Sequence, residues 1–122
     1  MFAEMILPEF DQEMATTLRM LQRVPDDLLD WRPHAKSNTI GWNANHLAEI
    51  PGWVENVLDE SINEPWSLMD NSKTLFTMTR GAVMRMFVLS HLIHHRTILS
   101  VYYRLNDIPV PAIYGPSADE AE

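Results

Sequence analysis

The chain has 122 residues, of which 46% are hydrophobic, and this size and composition fit one globular domain with a packed core. Its formal net charge of -8 argues against a nucleic-acid backbone as a direct partner. The chain contains no cysteine, which excludes disulfides, thiolate metal ligands and a cysteine nucleophile. Any metal site must therefore use histidine, carboxylates and water.

No segment of the sequence is typical of a membrane span. The longest apolar region, residues 82–105, is interrupted by arginines and histidines. The acidic N-terminus lacks the basic start of a secretion signal. We therefore expect a cytoplasmic protein that has neither a membrane nor a nucleic-acid partner.

Two helices are predicted in the first half of the chain. The first runs from about residue 8 to residue 23, and its apolar residues recur at helical spacing: Phe10, Met14, Leu18 and Leu21. A loop follows to Asn38. The second helix, capped by Thr39 or Asn38, runs to about Leu58. Pro51 lies inside this helix and predicts a kink one turn after His46.

The second half of the chain predicts one long helix between two irregular segments. Residues 59–79 have no clear period, which is unusual for a small domain. The long helix runs from about residue 80 to residue 105, with a wetter side traced by Arg85, Arg96, Ser100 and Arg104. Arg96 is expected to be exposed or paired with a carboxylate such as Glu49 or Asp107. The tail, residues 106–122, is expected to be an extended strap with an acidic, frayed end.

These elements predict an all-α fold in a single domain, residues 1–122, built from three main helices. Three helices and a long loop make a thin bundle. Either part of residues 59–79 is helical, or a second subunit completes the packing.

Histidines in the long helix suggest a metal site. His91 and His95 are four residues apart, so both side chains lie on one helix face and can converge on one ion. Two alternatives remain for this spacing: the two imidazoles are buried and bonded to carboxylates or carbonyls, or the spacing is a coincidence. His46, in the middle of the second helix, is the candidate third ligand, whereas His94 points about 100° away and His34 lies in a polar loop. Three imidazoles would leave open coordination positions on Zn²⁺, Ni²⁺, Fe²⁺ or Co²⁺.

The segments that carry these residues resemble the DinB-like metal-binding four-helix bundle proteins. The resemblance rests on "GWNANHLAEIPGW", on "VLSHLIHHRTILSVYYRLNDIPVPAIYGPSADE" and on its "IPVPAIYGPS" tail. It implies an up-down helical bundle that holds a divalent metal through one histidine of the second helix and a His-x-x-x-His pair of the last helix. The implied ligands are His46, His91 and His95.

Two departures from the family pattern affect this interpretation. Relatives read His-His-Arg-Gly-Gln-Leu after the pair, whereas this chain reads "HHRTIL", so that Ile98 replaces a residue that supports the metal or contacts substrate. Relatives also have a complete helix where this chain has residues 59–79. The chain is therefore interpreted as a shortened DinB-like member, and we expect a homodimer with a large apolar interface that involves the first or third helix.

The resemblance implies a metal-dependent enzyme of the thiol S-transferase or hydrolase type, acting on a small-molecule substrate. A metal with an open position activates water or a thiol, which a low-molecular-weight thiol cofactor would supply here. Tyr102 is a weak catalytic candidate, and a core tyrosine with a bonded hydroxyl is the alternative. The remaining candidates are expected to support the metal or line its pocket: Glu49, Trp42, Trp53 and Ile98. The alternative function is a degenerate, non-catalytic metal-binding or structural helical dimer.

Overall fold

A computed structural model describes residues 1–120, so the predictions for the last two residues of the tail lie outside the described residues. Its helices are α1 (Phe2–Leu21), α2 (Ile40–Glu49), α3 (Trp53–Val57), α4 (Arg80–Val83) and α5 (Ser90–Leu105). Two strands, β1 (Pro65–Asp70) and β2 (Lys73–Thr79), form one antiparallel sheet. The helical core is thus accompanied by a small sheet, and the all-α prediction is wrong in that respect.

Helix α1 begins earlier than predicted and buries a different stripe. The helix extends beyond Pro8 toward the N-terminus, where Ile6 packs into the core with only 4% exposure. Leu18, expected on the apolar stripe, is 57% exposed. Glu13 and Thr17 are buried in its place because they accept hydrogen bonds from a charged residue of α5. The helix therefore packs a partly polar face.

The second predicted helix is confirmed and is interrupted at the predicted place. Thr39 caps α2, since its hydroxyl accepts a hydrogen bond from the backbone N–H of Trp42 at 3.0 Å. A 3₁₀ turn over Ile50–Gly52 contains Pro51 and separates α2 from α3. This interruption fits a residue that cannot donate an intrahelical hydrogen bond. α3 then continues the chain direction to Val57.

Residues 59–79, predicted as irregular or partly helical, contain a β-hairpin. β1 and β2 pair so that Trp66 faces Met78 and Leu68 faces Phe76, with an irregularity between Leu68 and Met69. These four side chains are partly buried and alternate with exposed neighbours. The hairpin therefore supplies some of the packing that the thin three-helix bundle lacked.

The long helix predicted over residues 80–105 is confirmed as three consecutive segments. α4 leads into a π-helical segment (Met84–Leu89), which continues into α5. Its buried apolar residues, Val83, Met84, Val88, Leu89, Leu92 and Leu99, are at most 2% exposed. The helix is therefore central to the core, as its composition predicted.

Arg96 was predicted to be exposed or paired with a carboxylate such as Glu49 or Asp107. It does pair with a carboxylate, but the partner is Glu13 and the side chain is buried. It is 1% exposed, and its Nη2 lies 2.7 Å from a carboxylate oxygen of Glu13 in α1. Tyr114 of the tail also accepts a hydrogen bond from Arg96 and donates one to Glu13. A buried cation needs such partners because it has left water.

The tail has no regular secondary structure over its described part, and it is tied to α1 and α5. Arg19 and Arg23 donate hydrogen bonds to the backbone carbonyls of Ala112 and Pro109. The acidic residues Asp119 and Glu120 pair with Arg104 and Arg23. The strap is confirmed, whereas the fraying predicted for its acidic end does not apply as far as residue 120. Among the described residues, no helix has the length and apolar character needed to cross a membrane.

Candidate metal centre

The three histidines proposed as ligands meet at one point. His46 comes from α2, and His91 and His95 come from successive turns of α5. The Nε2 atom of His91 lies 3.0 Å from Nε2 of His46 and 3.0 Å from Nε2 of His95. One nitrogen from each of the three rings lies within 4.8 Å of the others. Two separate helices therefore direct three imidazoles into a common space.

Buried leucines next to these histidines fix the contact between the two helices. Leu47 follows His46, Leu92 follows His91, and both leucines are completely buried. Burying a leucine side chain contributes about 1.5–3 kcal/mol, which favours this one face of each helix. The histidines lie beside the leucines at the edge of the helix contact. The packing of α2 on α5 therefore sets their separation.

Asn43 is a site residue that sequence reasoning missed. Its side-chain amide donates a hydrogen bond to the Thr39 carbonyl at 2.9 Å, so its Oδ1 faces Nδ1 of His95 at 3.0 Å. His95 must then carry its proton on Nδ1, which directs the lone pair of Nε2 toward the other histidines. The signal in the sequence was the Asn–Ala–Asn–His run, which places an asparagine one helical turn before His46.

Glu49 lies near the outer nitrogen of His46. The carboxylate oxygen is 3.8 Å from Nδ1 of His46, and the Glu49 side chain is 58% exposed. Asn45 donates a hydrogen bond to the same carboxylate at 2.9 Å. At 3.8 Å the carboxylate is too far from Nδ1 for a hydrogen bond, so Glu49 is a neighbour of His46 and not a bonded partner.

Trp42 and Trp53 both pack against the histidines. Trp42 stacks on His46 with ring centroids 4.7 Å apart and an interplanar angle of 24°. Trp53 meets His46 and His91 edge to face at 5.6 Å and 5.3 Å. Trp42 is 43% exposed, so it forms the outer rim, whereas Trp53 is partly buried. The two indoles bracket the histidine cluster with apolar surface.

The environment keeps the imidazoles neutral. Burial, together with the neighbouring His46 and His91, lowers the pKa of His95 to about 4. Burial and His46 also lower the pKa of His91. Near neutral pH both rings are therefore uncharged and offer a nitrogen lone pair, which is the protonation state that metal coordination requires.

The close approach of the three nitrogens fits a cation. Lone pairs 3.0 Å apart repel one another unless a proton or a cation lies between them. Nε2 of His91 can carry one proton, although it has two nitrogen neighbours at that distance. Two nitrogens each about 2.1 Å from one ion stand about 3 Å apart when the angle at the ion is near 90°. A single divalent ion would thus satisfy all three imidazoles.

The remaining candidates lie outside this cluster. The Tyr102 hydroxyl donates a hydrogen bond to the Asn38 carbonyl at 3.1 Å, which is the core-tyrosine arrangement considered as the alternative. Ile98 packs against the hydrophobic core. His94 and His34 are both exposed, and Nδ1 of His34 accepts a hydrogen bond from the backbone of Lys36. His94 packs edge to face on His95 with ring centroids 4.9 Å apart, but it is not one of the three residues whose nitrogens converge.

Comparisons with known proteins connect the chain to one superfamily. Residues 9–66 match the sequence profile of the DinB superfamily, a region that includes His46, Asn43 and both indoles of the site. The chain is also 34% identical over 68 residues to the uncharacterized protein YrdA of Bacillus subtilis (strain 168). That alignment spans 56% of this chain and 35% of the length of the relative. No solved structure gives a significant match. The resemblance inferred from the sequence is thus confirmed over residues 9–66, which are similar to the DinB superfamily.

Proposed function

We propose that the protein binds one divalent metal ion through His46, His91 and His95 and uses it to activate a thiol or a water molecule. The observation that carries this proposal is the 3.0 Å approach of Nε2 of His91 to the Nε2 atoms of the other two histidines. Zn²⁺, Ni²⁺, Fe²⁺ and Co²⁺ all accept neutral imidazole ligands. Three protein ligands are the set typical of catalytic rather than structural zinc sites.

Each residue of the cluster has a distinct part in this proposal. The three histidines hold the ion, Asn43 fixes the proton of His95 on the outer nitrogen, and Glu49 is a neighbour of His46. When bound, the ion lowers the pKa of a coordinated thiol or water, so that a nucleophile is available at neutral pH. The indoles of Trp42 and Trp53 limit water around the histidines and so strengthen electrostatic interactions there.

The reaction class we propose is thiol S-transfer or hydrolysis of a small-molecule substrate. The absence of cysteine from the chain is compatible with a low-molecular-weight thiol as cosubstrate. A catalytic role for Tyr102 stays a prediction, and its hydroxyl would first have to leave the Asn38 carbonyl. Ile98, which stands where relatives carry an amide, favours the second candidate, a metal-binding protein without catalysis.

Metal content and affinity test the proposal. We expect protein purified without added metal to contain one divalent ion per chain by elemental analysis. After chelation, calorimetric titration should give one site per chain, and His91→Ala should lower its affinity at least 100-fold. His34→Ala is the matched control, since His34 is an exposed histidine whose ring accepts a hydrogen bond from the backbone of Lys36. Equal affinities in the two variants would refute the site.

Turnover separates the two candidate functions once metal binding is established. The metal-loaded protein is incubated with a panel of low-molecular-weight thiols and an epoxide or alkyl-halide electrophile, and thiol consumption is followed. Consumption that is lost in His91→Ala supports the enzyme. A second incubation with ester substrates tests hydrolysis, and stoichiometric metal without turnover of any thiol or ester supports the non-catalytic alternative.

We also propose that the protein is a homodimer, as the sequence suggested. Exposed apolar side chains on the first and last helices support this proposal: Leu18 at 57%, Val101 at 51% and Leu105 at 60%. Light scattering after size-exclusion chromatography should give twice the chain mass. A mass of one chain at micromolar concentration would contradict the dimer.

A further inference from the structure

An apolar cavity lies between α3, the hairpin and the π-helical segment. It has a volume of about 290 Å³ and is lined by Gly52, Trp53, Asn56, Val57, Trp66, Leu68 and Phe87. None of these residues carries a charge. A space of this size accommodates a small ring-containing molecule, and its walls favour an apolar, uncharged one.

The cavity shares two walls with the three-histidine cluster. Trp53 and Phe87 stack with ring centroids 5.4 Å apart and an interplanar angle of 10°. Each ring also meets His91 edge to face, Trp53 at 5.3 Å and Phe87 at 5.1 Å. A group bound against this aromatic pair would therefore be separated from His91 by no more than one ring.

The backbone that places Phe87 is itself unusual. Phe87 lies in the π-helical segment Met84–Leu89, where the hydroxyl of Ser90 donates a hydrogen bond to the carbonyl of Arg85, five residues back. Single π turns inside an α-helix cost helix regularity and occur frequently at functional sites. Here the π turn immediately precedes His91, so it sets the position of Phe87 relative to that ligand.

One polar side chain gives the cavity directionality. Oδ1 of Asn56 accepts a hydrogen bond from the indole N–H of Trp66 at 3.0 Å. This bond fixes the amide, so that its Nδ2 remains a donor. Within the described residues, Nδ2 of Asn56 donates no hydrogen bond to the protein. A ligand that carries one hydrogen-bond acceptor would match it.

We propose that this cavity binds the ring-sized, uncharged apolar part of the substrate and presents the adjoining reactive group to the histidine cluster. The substrate class is a neutral small molecule with an aromatic or compact aliphatic group and one acceptor oxygen. This inference rests on the proposed function for the reaction, whereas binding in the cavity is measurable without a metal ion.

Protein-detected NMR with benzyl alcohol as the probe tests the proposal on the metal-free protein. The indole N–H signals of Trp53 and Trp66 should shift saturably, while those of Trp31 and Trp42 should shift less. Benzoate and benzylammonium should bind at least tenfold more weakly, because each must bring a charge toward an uncharged cavity. Using both signs of charge separates this effect from the net charge of the protein.

Gly52→Leu is a variant that we expect to fill part of the cavity without disturbing the fold, since Gly52 lines the cavity. Gly52 has helical backbone angles of -66° and -18°, and a Cβ added there meets no atom within 4 Å. The added side chain should weaken benzyl alcohol binding at least tenfold. Ala15→Leu, which places the same side chain at an exposed position of α1, is the control and should bind the probe normally.

The possible outcomes are distinct. Absence of saturable shifts at Trp53 and Trp66, normal binding to Gly52→Leu, or equal binding of the charged probes would overturn the cavity proposal. Metal titration of the same proteins is read separately, and Gly52→Leu should retain the affinity of the wild type. If the wild type binds metal but not the probe, only the cavity proposal is refuted. If the wild type binds the probe but not metal, only the proposed function is refuted.

Discussion

Replacing Asn43 by alanine tests how the hydrogen bond behind His95 controls metal affinity. Asn43 is 1% exposed, and its side chain bridges the Thr39 carbonyl and Nδ1 of His95 at 2.9 Å and 3.0 Å. Without this acceptor, the His95 proton can move to Nε2 and block the lone pair that faces the other ligands. Removing such a supporting residue typically lowers metal affinity 10- to 100-fold, or about 1.4–2.8 kcal/mol.

The same substitution also destabilises the fold, so the control must do so equally. Tyr103→Phe removes a buried hydroxyl that donates to the Met20 carbonyl at 2.9 Å, away from the histidines. Each variant should lose about 1–3 kcal/mol of unfolding free energy, because one buried polar group is left without its partner. Calorimetric titration with Zn²⁺ is performed at a temperature where circular dichroism shows both variants folded. Equal Zn²⁺ affinity of Asn43→Ala and Tyr103→Phe would refute the role assigned to Asn43.

Three further predictions concern stability, and urea denaturation measures each of them. Glu13→Gln leaves Arg96 buried without its counter-charge and should lower the unfolding free energy by about 3 kcal/mol. Glu9→Gln breaks an exposed ion pair and should change the unfolding free energy by less than about 1 kcal/mol. Similar losses in the two variants would contradict the importance of the buried pair. Folding lowers the pKa of His95 from 6.5 to about 4, so between these pH values the unfolded chain binds more protons than the folded one. The unfolding free energy of the metal-free protein should therefore fall by up to about 1.4 kcal/mol for each pH unit of acidification through this range. A urea midpoint that is unchanged between pH 7.5 and pH 5 would contradict this prediction. Ser72→Gly should raise the unfolding free energy by about 0.5–1 kcal/mol, because Ser72 adopts a positive φ of 66° in the hairpin turn; a lowered midpoint would count against that cause.

The hairpin shows why part of the fold was missed from the sequence. Trp66 and Leu68 flank Ser67, and Phe76 and Met78 flank Thr77, which is a short strand signal that apolar Met69 and Leu75 interrupt. The two strands are only six and seven residues long, and Asn–Ser rather than Asn–Gly forms the turn. Short strands gain stability mainly from packing against other elements, so their local pattern is weak until the helices are in place.

Arg96 illustrates the limit of local patterns in a helix. Spacing along α5 assigned it to the wetter side, and its burial depends on Glu13, 83 residues earlier, and on Tyr114 in the tail. The same reason explains why Leu18 is exposed although it continues an apolar stripe of α1. A periodicity identifies a face of a helix, whereas the partner elements decide which face is buried.

The sequence by itself determined the three main helices, the interruption at Pro51 and the identity of His46, His91 and His95 as the residues that meet. Helical spacing places His91 and His95 on one face of the same helix, because a separation of four residues depends only on local structure. Only the tertiary structure decided how close His46 comes to them and which nitrogen of His95 carries the proton that Asn43 accepts. It also decided that a hairpin encloses an aromatic cavity beside the cluster. These features depend on contacts between residues distant in the chain, and such contacts are set by the packing of whole elements against one another.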